Sequence, residues 1–352
     1  MTGKWLLYGA SGYTGELIAR EAVKRGMQVV LAGRSHQKIS RLAAELGCPS
    51  AVFSVDDHTS LVSALQDSVA VLNCAGPFSL TARSIMQACL VTRVHYLDIT
   101  GEIDVFELAH SVDDKARRAG VVLCPGVGFD VLPTDSVAVK LKLALPDAIE
   151  LSLGFDSRSG FSKGTAKTAV ESMGEGSKLR RNGKIVSAPL GSSTRRIDFG
   201  NGERLAVGIP WGDVSTAFYS TGIPNIQVFS ATSSGGLKRL RRMNWLRPLL
   251  RQRPIQRFLQ NRIERRLQPP DRTQRESNPS YVWGEARNTA GEIKTARLRT
   301  PNGYALTVTS ALGILQDLLA DPQRAGYMTP TMLVGSDFIS TLPNCSTIRI
   351  EP

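Results

Sequence analysis

The sequence predicts an α/β protein in which a doubly wound parallel sheet is followed by a second α/β domain with a mixed sheet. In the first third of the chain, unbroken apolar runs are separated by helical stretches, which is typical of a parallel sheet covered on both faces. After Ala148 the strand-like runs alternate more, as in a sheet with one exposed face. We predict a first domain at residues 1–145 and a second at residues 146–352, whose C-terminal part packs back on the first.

The elements of the first domain follow one another in strict alternation. The first strand, KWLLYG, ends at Gly9, and the helix after it stops at Gly26. The second strand, QVVLAGRS, precedes a helix that stops at Gly47. The alternation continues through AVFSV, HTSLVSALQ, VAVLNCAGP, TARSIMQACL, VHYLDITG, VFELAHSVDDKARRAG and VVLCPG, and a further helix begins near Val131. Because doubly wound sheets bind ligands at the carboxyl ends of their strands, the loops at those ends are the candidate site.

Three glycines follow the first strand at intervals of three, in the sequence GASGYTG. At a strand-to-helix turn, glycines let backbone N–H groups and the positive end of the helix face a pyrophosphate with no side chain in between. The spacing differs from the G-x-G-x-x-G dinucleotide fingerprint, and a tight turn without a ligand is the alternative. The surrounding strands and helices favour a phosphate cradle in a Rossmann-type domain. The predicted cradle comprises Gly9, Ala10, Ser11, Gly12, Tyr13, Thr14 and Gly15.

The end of the second strand indicates which dinucleotide binds. An acidic residue at this point bonds to the adenosine ribose, whereas a basic residue accommodates a 2′-phosphate. The sequence has Arg34 and Ser35 here and no acid. A guanidinium can hold a phosphate through two parallel hydrogen bonds. The predicted cofactor is therefore NADP(H), and a solvated surface arginine is the alternative interpretation of Arg34.

Two further strand ends supply candidate site residues. NCAGPF, after the fourth strand, puts small residues and a proline where a nicotinamide ring would lie, unless it is a plain strand–loop–helix junction. The predicted cofactor contacts in this loop are Cys74, Ala75, Gly76 and Pro77. HYLDITGE ends the fifth strand, and Tyr96, Asp98 and Thr100 are candidate proton donors by their position alone. Thr100 is equally a candidate cap for the next helix.

Taken together, GASGYTG, AGRS, NCAGPF, HYLDITGE and PGVGFDVLPTD resemble the saccharopine dehydrogenase-like oxidoreductases, in particular the branch called trans-acting enoyl reductases. The resemblance continues in residues 159–173, 220–231 and 326–346. It implies an NADP(H)-binding domain followed by an α/β domain that supplies the substrate wall and a homodimer interface. Members of the family act on amino-acid adducts and on lipid or polyketide precursors, so the resemblance indicates the cofactor better than the substrate.

A tyrosine-dependent short-chain dehydrogenase mechanism does not fit this sequence. That mechanism uses a Tyr-x-x-x-Lys pair, in which the lysine lowers the pKa of the tyrosine. None of the seven tyrosines is followed by a lysine four positions on.

In the second domain, AIELSLGF, RLAVGI, IQVFSA, EIKTARLRT and YALTVTSA are predicted strands, and GTAKTAVESM and SALGILQDLLA are predicted helices. The stretch SGFSKGTAKT lacks the glycine that a P-loop places directly before its lysine. Two interpretations stay open for this helix start, a position facing the cofactor cleft or a plain cap. Its residues are Lys163, Gly164, Thr165 and Lys167.

Nearly all the excess positive charge lies in residues 237–275. This segment has 13 Lys and Arg residues against Glu264 and Asp271, a net charge of +11 out of +12 for the chain. Apolar residues, including Trp245, recur through it at helical spacing. A basic amphipathic helix of this kind can lie on an anionic membrane surface, and packing of the apolar stripe on its own domain is the alternative. Few aromatic residues and no recognition motif argue against nucleic-acid binding.

The composition also bears on metal sites and location. No run of 18 apolar residues predicts a spanning helix, and the first residues lack the apolar segment and cleavage site of a secretory signal. Five scattered cysteines without C-x-x-C, and four histidines without H-x-x-x-H, predict neither a disulfide framework nor a metal site. We expect a cytoplasmic protein, and whether residues 237–275 attach it to a membrane surface or pack on their own domain stays open.

These observations predict an NADP(H)-dependent oxidoreductase. The favoured reaction, in line with the resemblance, is hydride transfer to an enoyl-type C=C bond of a small hydrophobic, lipid- or polyketide-like substrate. One alternative is a saccharopine-type dehydrogenase acting on a C=N bond or amine, which needs basic side chains for the substrate carboxylates. Another is a non-catalytic NADP(H)-binding scaffold or sensor attached to membranes through residues 237–275.

Overall fold

The computed structural model describes residues 3–157, 174–250, 252–266, 278–321 and 323–352. These residues divide into two compact units, Met1–Phe129 with Thr307–Val334 and Asp130–Leu306 with Gly335–Pro352. The predicted helix start at residues 163–167 and the end of the basic segment, residues 267–275, lie outside the described residues.

Strands and helices are numbered in chain order within the described residues. The strands are β1 (Trp5–Tyr8), β2 (Val29–Gly33), β3 (Ser50–Val52), β4 (Ala70–Asn73), β5 (His95–Asp98), β6 (Val122–Cys124), β7 (Glu150–Asp156), β8 (Ser177–Arg181), β9 (Lys184–Ala188), β10 (Thr194–Asp198), β11 (Glu203–Ile209), β12 (Asn225–Ala231), β13 (Ser280–Arg287), β14 (Ile293–Thr300), β15 (Gly326–Tyr327) and β16 (Arg349–Glu351). The helices are α1 (Tyr13–Lys24), α2 (His36–Leu46), α3 (His58–Leu65), α4 (Phe78–Thr92), α5 (Ile103–Ser111), α6 (Asp113–Ala119), α7 (Leu132–Ala144), α8 (Asp213–Thr221), α9 (Ser234–Met243), α10 (Arg247–Leu250), α11 (Arg253–Arg266), α12 (Gly303–Ala320), α13 (Pro330–Val334) and α14 (Phe338–Thr341), with a 3₁₀ turn at Asn244–Leu246.

The first unit is built on a seven-stranded parallel sheet in the order β15-β6-β5-β4-β1-β2-β3. Every residue of β1, β2 and β4 is buried, which explains their unbroken apolar sequences. The order of the first six strands is that of dinucleotide-binding sheets, and their direction of progression reverses between β1 and β4. The predicted doubly wound fold is therefore confirmed, and its switch point lies at the carboxyl ends of these two strands.

The second unit contains a nine-stranded mixed sheet in the order β10-β11-β12-β7-β13-β14-β16, with β8 pairing to β12 and to β9. Only the β7–β12 pairing is parallel among the described strands of this sheet. Helix α7 approaches β13 closely at Gly284, where an added β-carbon would lie 2.5 Å from Val137 and 2.8 Å from Leu141. The predicted mixed sheet in the second half is confirmed.

The compact units differ from the predicted ranges 1–145 and 146–352. The division falls between Phe129 and Asp130, because α7 packs on β13 and β14 of the second sheet. Residues 307–334 complete the first unit, to which they add β15 beside β6.

Two local predictions were wrong. YALTVTSA does not form a strand: it lies within the single helix α12, whose start is fixed by the side chain of Asn302 accepting from the backbone N–H of Tyr304 at 3.0 Å. Helix packing thus overrides the strand preference of its β-branched residues. VFELAHSVDDKARRAG forms two helices, α5 and α6, which are separated at Val112.

A buried polar cluster joins α7 to α8 in the second unit. The hydroxyl of Thr134 lies 2.8 Å from Oδ2 of Asp213, and Ser220 donates to Oδ1 of Asp135 at 2.6 Å. Burial, reinforced by the charge of Asp135, raises the pKa of Asp213 well above its ordinary value. A protonated Asp213 can donate to Thr134, whose hydroxyl then donates to the carbonyl of Val131 at 3.0 Å. The cluster therefore fixes α7 against α8 without a buried charge at Asp213.

By length and apolar composition, α12 alone among the described helices would suffice to cross a bilayer. In the fold, 61% of this helix is buried. Partial burial of this kind is equally typical of a helix in a protein core.

Candidate functional site

The glycine-rich turn after β1 is tightly closed. The N–H of Gly12 donates to the carbonyl of Gly9 at 2.9 Å, and the N–H groups of Gly9 and Ala10 both bond to one carbonyl of β2. Gly9 has φ of +81°, and a β-carbon there would lie 2.8 Å from backbone atoms of the loop after β4. At Gly15 a β-carbon would lie 2.3 Å from the carbonyl oxygen of Gly9. The turn therefore requires glycine for its backbone to approach β4 and α1.

Helix α1 starts at this turn with its positive end uncapped. The N-cap residue is Gly12, which has no side chain to accept a hydrogen bond from the first turn. The nearby carboxylate of Glu16 is paired with Arg20 at 2.7 Å. A cradle that a β-carbon would fill, together with an open helix N-terminus, fits the pyrophosphate of a dinucleotide. Ser11, Tyr13 and Thr14 complete the turn and are each partly exposed.

Arg34 and Ser35 take different roles at the end of β2. The side chain of Ser35 caps α2 by accepting from the backbone N–H of Lys38 at 3.4 Å. Arg34 is exposed, and within the described part of the chain no carboxylate pairs with its guanidinium. Burial raises the pKa of Tyr8, and the neighbouring positive charge of Arg34 opposes this shift. The guanidinium is thus free to receive a phosphate beside the glycine turn.

The loop after β4 is held in place by three hydrogen bonds. The N–H of Cys74 donates to the carbonyl of Tyr8 at 2.8 Å, and the N–H of Ala75 donates to the side chain of Asn73 at 3.0 Å. The hydroxyl of Thr81 donates back to the carbonyl of Ala75 at 2.9 Å. The predicted contacts Gly76 and Pro77 follow, joined by a cis peptide bond. The loop therefore lies beside the glycine turn, at the switch point of the sheet.

The candidate proton donors Tyr96, Asp98 and Thr100 form an internal network and have no exposed surface. The phenol of Tyr96 donates to Oδ2 of Asp98 at 2.7 Å. The other carboxylate oxygen of Asp98 accepts from the backbone N–H groups of Thr100, at 3.0 Å, and of Gly126, at 2.8 Å. The amide of Asn73 donates to the Tyr96 oxygen at 3.3 Å. The network joins the ends of β4 and β5 to the loop after β6, which favours a positioning role for these side chains.

Burial perturbs both acidic groups of this network. It raises the pKa of Asp98 to about 6, although its three hydrogen bonds act in the opposite direction. Burial and the charge of Asp98 also raise the pKa of Tyr96 well above 10. Tyr96 therefore stays protonated at neutral pH, whereas Asp98 gains or loses its proton close to neutrality.

Glu102 has a role that the sequence did not reveal. Its carboxylate accepts from the backbone N–H groups of Phe78, at 2.9 Å, and of Ser79, at 2.7 Å, and so caps α4 from the loop after β5. The expected capping of α5 by Thr100 was wrong, because Glu102 is the N-cap residue of α5 and Thr100 accepts from its N–H at 3.0 Å. Asn73 was likewise missed, although it directly precedes the predicted loop contacts.

Thiols and metal-binding groups add little to this site. Burial and the charge of Asp98 raise the pKa of Cys74, which keeps it a neutral thiol. Across the described residues, no three His, Cys, Asp or Glu side chains gather in a way that would hold a metal ion.

The first unit matches a known sequence family. The family model described as "Saccharopine dehydrogenase NADP binding domain" matches residues 5–124, which span β1 to β6. Residues 5–124 are thus similar to the NADP-binding domain of saccharopine dehydrogenases. The predicted cofactor, NADP(H), is therefore confirmed for this domain.

Curated relatives extend the similarity beyond the NADP-binding domain. Human saccharopine dehydrogenase-like oxidoreductase is 28% identical over 202 residues, covering 50% of this chain and 47% of that protein. The trans-acting enoyl reductase of Mycobacterium leprae is 28% identical over 141 residues, covering 37% of this chain and 33% of that protein. The matches thus span about half or less of each relative. Together with the family model, they show similarity to saccharopine dehydrogenase-like oxidoreductases over about half of this chain.

A solved structure matches the whole fold. Apo saccharopine dehydrogenase (L-Glu forming) from Saccharomyces cerevisiae covers 99% of this chain, and 100% of that chain is matched, with a TM-score of 0.66. The sequence identity is 11%, so the likeness concerns the fold. It confirms the predicted fold, a doubly wound parallel sheet combined with a second domain built on a mixed sheet.

Proposed function

We propose that the protein is an NADPH-dependent reductase that adds hydride to the C=C bond of a small hydrophobic, enoyl-type substrate. The observation that carries the cofactor part is the guanidinium of Arg34, which pairs with no carboxylate in the described part of the chain, beside the uncapped glycine turn. Support for C=C reduction comes from the mycobacterial relative, which is named a trans-acting enoyl reductase and is similar over 141 residues.

Different loops of the first unit bind different parts of the cofactor. The positive end of α1, which begins after Gly12, faces the pyrophosphate, and Arg34 holds the 2′-phosphate. The loop at residues 74–77 borders the nicotinamide end. When bound, NADPH supplies the hydride, while the protein supplies orientation and exclusion of water. Tyr96 and Asp98 act as positioning residues, because they fix the strand ends that carry these loops.

A fluorescence titration with NADPH and with NADH tests the cofactor part of the proposal. For Arg34→Ala we expect NADPH to bind roughly 10- to 100-fold more weakly, since a hydrogen bond to a charged group contributes about 1.5–3 kcal/mol. NADH affinity should not change. Arg41→Ala, which removes an exposed arginine from α2, is the matched control. Equal loss of NADPH affinity in both variants would refute the role of Arg34.

Oxidation of NADPH with two classes of acceptor tests the reaction. Lipophilic enones and α,β-unsaturated acyl thioesters represent C=C substrates, and a keto acid mixed with an amine represents C=N substrates. We expect oxidation with the first class only. Oxidation confined to the second class would replace the proposal with an amine dehydrogenase. Tight NADPH binding without oxidation of either class would leave a non-catalytic NADP(H)-binding protein.

A further inference from the structure

Large apolar side chains stand exposed in one part of the second unit. We call the described residues 234–250 and 252–262 the basic surface segment. Trp245 is 89% exposed and Phe258 is 64% exposed, and Leu246 and Leu249 are each more than half exposed. None of the residues in α9, the 3₁₀ turn or α10 is buried. Four exposed large apolar side chains within fourteen positions are more than the single scattered apolar residues of an ordinary surface, which indicates an interaction site.

The basic surface segment is attached to its own unit through polar groups. The side-chain amide of Asn244 donates to the carbonyl of Leu190 and accepts from its N–H, both at 2.8 Å. Arg241 donates to the carbonyl of Gly191 at 3.0 Å, and Arg247 donates to that of Glu175 at 2.6 Å. These bonds fix the orientation of the helices and leave Trp245 and its apolar neighbours facing outward.

The same surface is strongly positive. No acidic residue occurs from position 232 to position 263 of the sequence. Besides Arg241, which bonds to Gly191, five basic side chains are exposed here, and none of them has an acidic partner within the described residues. They are Lys238, Arg239, Arg242, Arg257 and Arg262. A partner that covers this surface must therefore offer both negative charge and an apolar phase.

We propose that the basic surface segment docks on an anionic lipid bilayer, with its helices lying in the plane of the interface. Trp245 and Phe258 would enter the headgroup–acyl boundary, where aromatic side chains are favoured. The exposed lysine and arginines would contact lipid phosphates, each contributing about tenfold or less to the partition coefficient. Docking does not depend on the proposed reductase activity, so the two proposals can fail separately.

Flotation of the full-length protein with lipid vesicles tests the docking. We expect binding to vesicles containing phosphatidylglycerol, little binding to pure phosphatidylcholine, and release in high salt. Removing three basic residues should weaken partitioning on the order of a hundredfold. The basic-residue variant is Lys238→Gln/Arg239→Gln/Arg242→Gln, and the control with the same change of net charge elsewhere is Arg41→Gln/Arg118→Gln/Arg181→Gln. NADPH titration of each variant verifies that it is folded.

A second pair of variants tests the apolar contact. Trp245→Ala/Phe258→Ala should weaken partitioning at least roughly tenfold, because two large aromatic side chains no longer enter the lipid. Leu80→Ala/Val91→Ala removes two side chains that are 69% and 68% exposed in the first unit, and it should not affect binding. Equal flotation of the basic-residue variant and its control would overturn the proposal. A second result would also overturn it: the wild type is a dimer that does not bind vesicles, and Trp245→Ala/Phe258→Ala is a monomer. In that case a second copy of the chain covers the surface.

Discussion

Replacing Asp98 with asparagine gives the sharpest test of the buried network. Asp98→Asn keeps the side-chain oxygen that accepts from Thr100 and Gly126, while it removes the ionisable group that faces Tyr96. Burial raises the pKa of this carboxyl from 3.8 to about 6. Since one pKa unit corresponds to 1.36 kcal/mol, the shift amounts to about 3 kcal/mol of pH-dependent stability.

The sign of this effect follows from proton linkage. The folded state holds the proton of Asp98 more tightly than the unfolded chain does, so the contribution of this group to stability is full below about pH 4. It is lost as the pH rises through about 6. The asparagine variant has no such group. We therefore expect its free energy of unfolding, relative to that of the wild type, to rise by roughly 2 kcal/mol between pH 4 and pH 7.5.

Urea denaturation at a series of fixed pH values, followed by circular dichroism, measures the difference. The test is whether the difference in free energy of unfolding between Asp98→Asn and the wild type changes with pH. A difference that is the same at every pH reports altered hydrogen bonding at Tyr96. Asp67→Asn, which removes an exposed carboxylate from the same unit, controls for the loss of one charge. A difference between Asp98→Asn and the wild type that stays flat, or that falls with rising pH, would refute the account of a strained buried carboxylate.

Three further substitutions probe neighbouring features. Gly12→Ser puts a hydroxyl at the open start of α1, so we expect the free energy of unfolding to change by less than about 1 kcal/mol. The affinity for NADPH in a fluorescence titration should, in contrast, fall at least roughly tenfold. Glu102→Gln removes the charge that caps α4 and should lower the free energy of unfolding in urea by about 1–2 kcal/mol. Burial and the charge of Arg324 lower the pKa of His95, which accepts from the N–H of Val122. The contribution of His95 to stability should therefore be lost as the pH falls below about 6.5. We expect the stability of His95→Gln, relative to that of the wild type, to rise in thermal scans from pH 7.5 to 5.5. The arguments would be contradicted, respectively, by unchanged NADPH affinity of Gly12→Ser, by an unchanged urea midpoint of Glu102→Gln, and by a pH profile of His95→Gln that runs parallel to that of the wild type.

The parallel sheet was predictable because its signals are local. Each central strand is an unbroken apolar run, and Gly47, with φ of +66°, ends α2 where the sequence placed its stop. Strands of the second sheet were harder to predict, because a strand such as β9, with the sequence KIVSA, has no regular alternation and none of its residues is buried. The helical start of α12 was missed because Asn302, rather than the β-branched residues after it, determines the local structure.

In the candidate site, too, the residues with local sequence signals were predictable and those with long-range contacts were not. Arg34 follows directly from its position at the end of β2, whereas the partners of Glu102 lie 24 and 23 residues earlier in the chain. These groups become neighbours only because β4 and β5 pair in parallel with Asn73 opposite Asp98. A contact that depends on strand pairing leaves no mark in either local sequence. Positioning residues are therefore harder to predict from one sequence than residues at the end of a strand.

The capping pattern of the first unit explains why an anion would bind at the N-terminus of α1 rather than at those of the neighbouring helices. The helices after β2 and β3 are capped by the side chains of Ser35 and Asp57, which accept from backbone N–H groups at 3.4 and 3.1 Å. The helix after β4 is capped by the carboxylate of Glu102. Each cap satisfies the free N–H groups and offsets the positive end of the helix dipole. Of the four helices that follow β1 to β4, α1 alone has no capping side chain, either at its N-cap residue Gly12 or from a distant residue such as Glu102, among the described residues. It begins at the switch point of the sheet. In the proposed function, the preference of a phosphate for the start of α1 therefore depends on the caps of the other three helices as well as on the glycines of the turn.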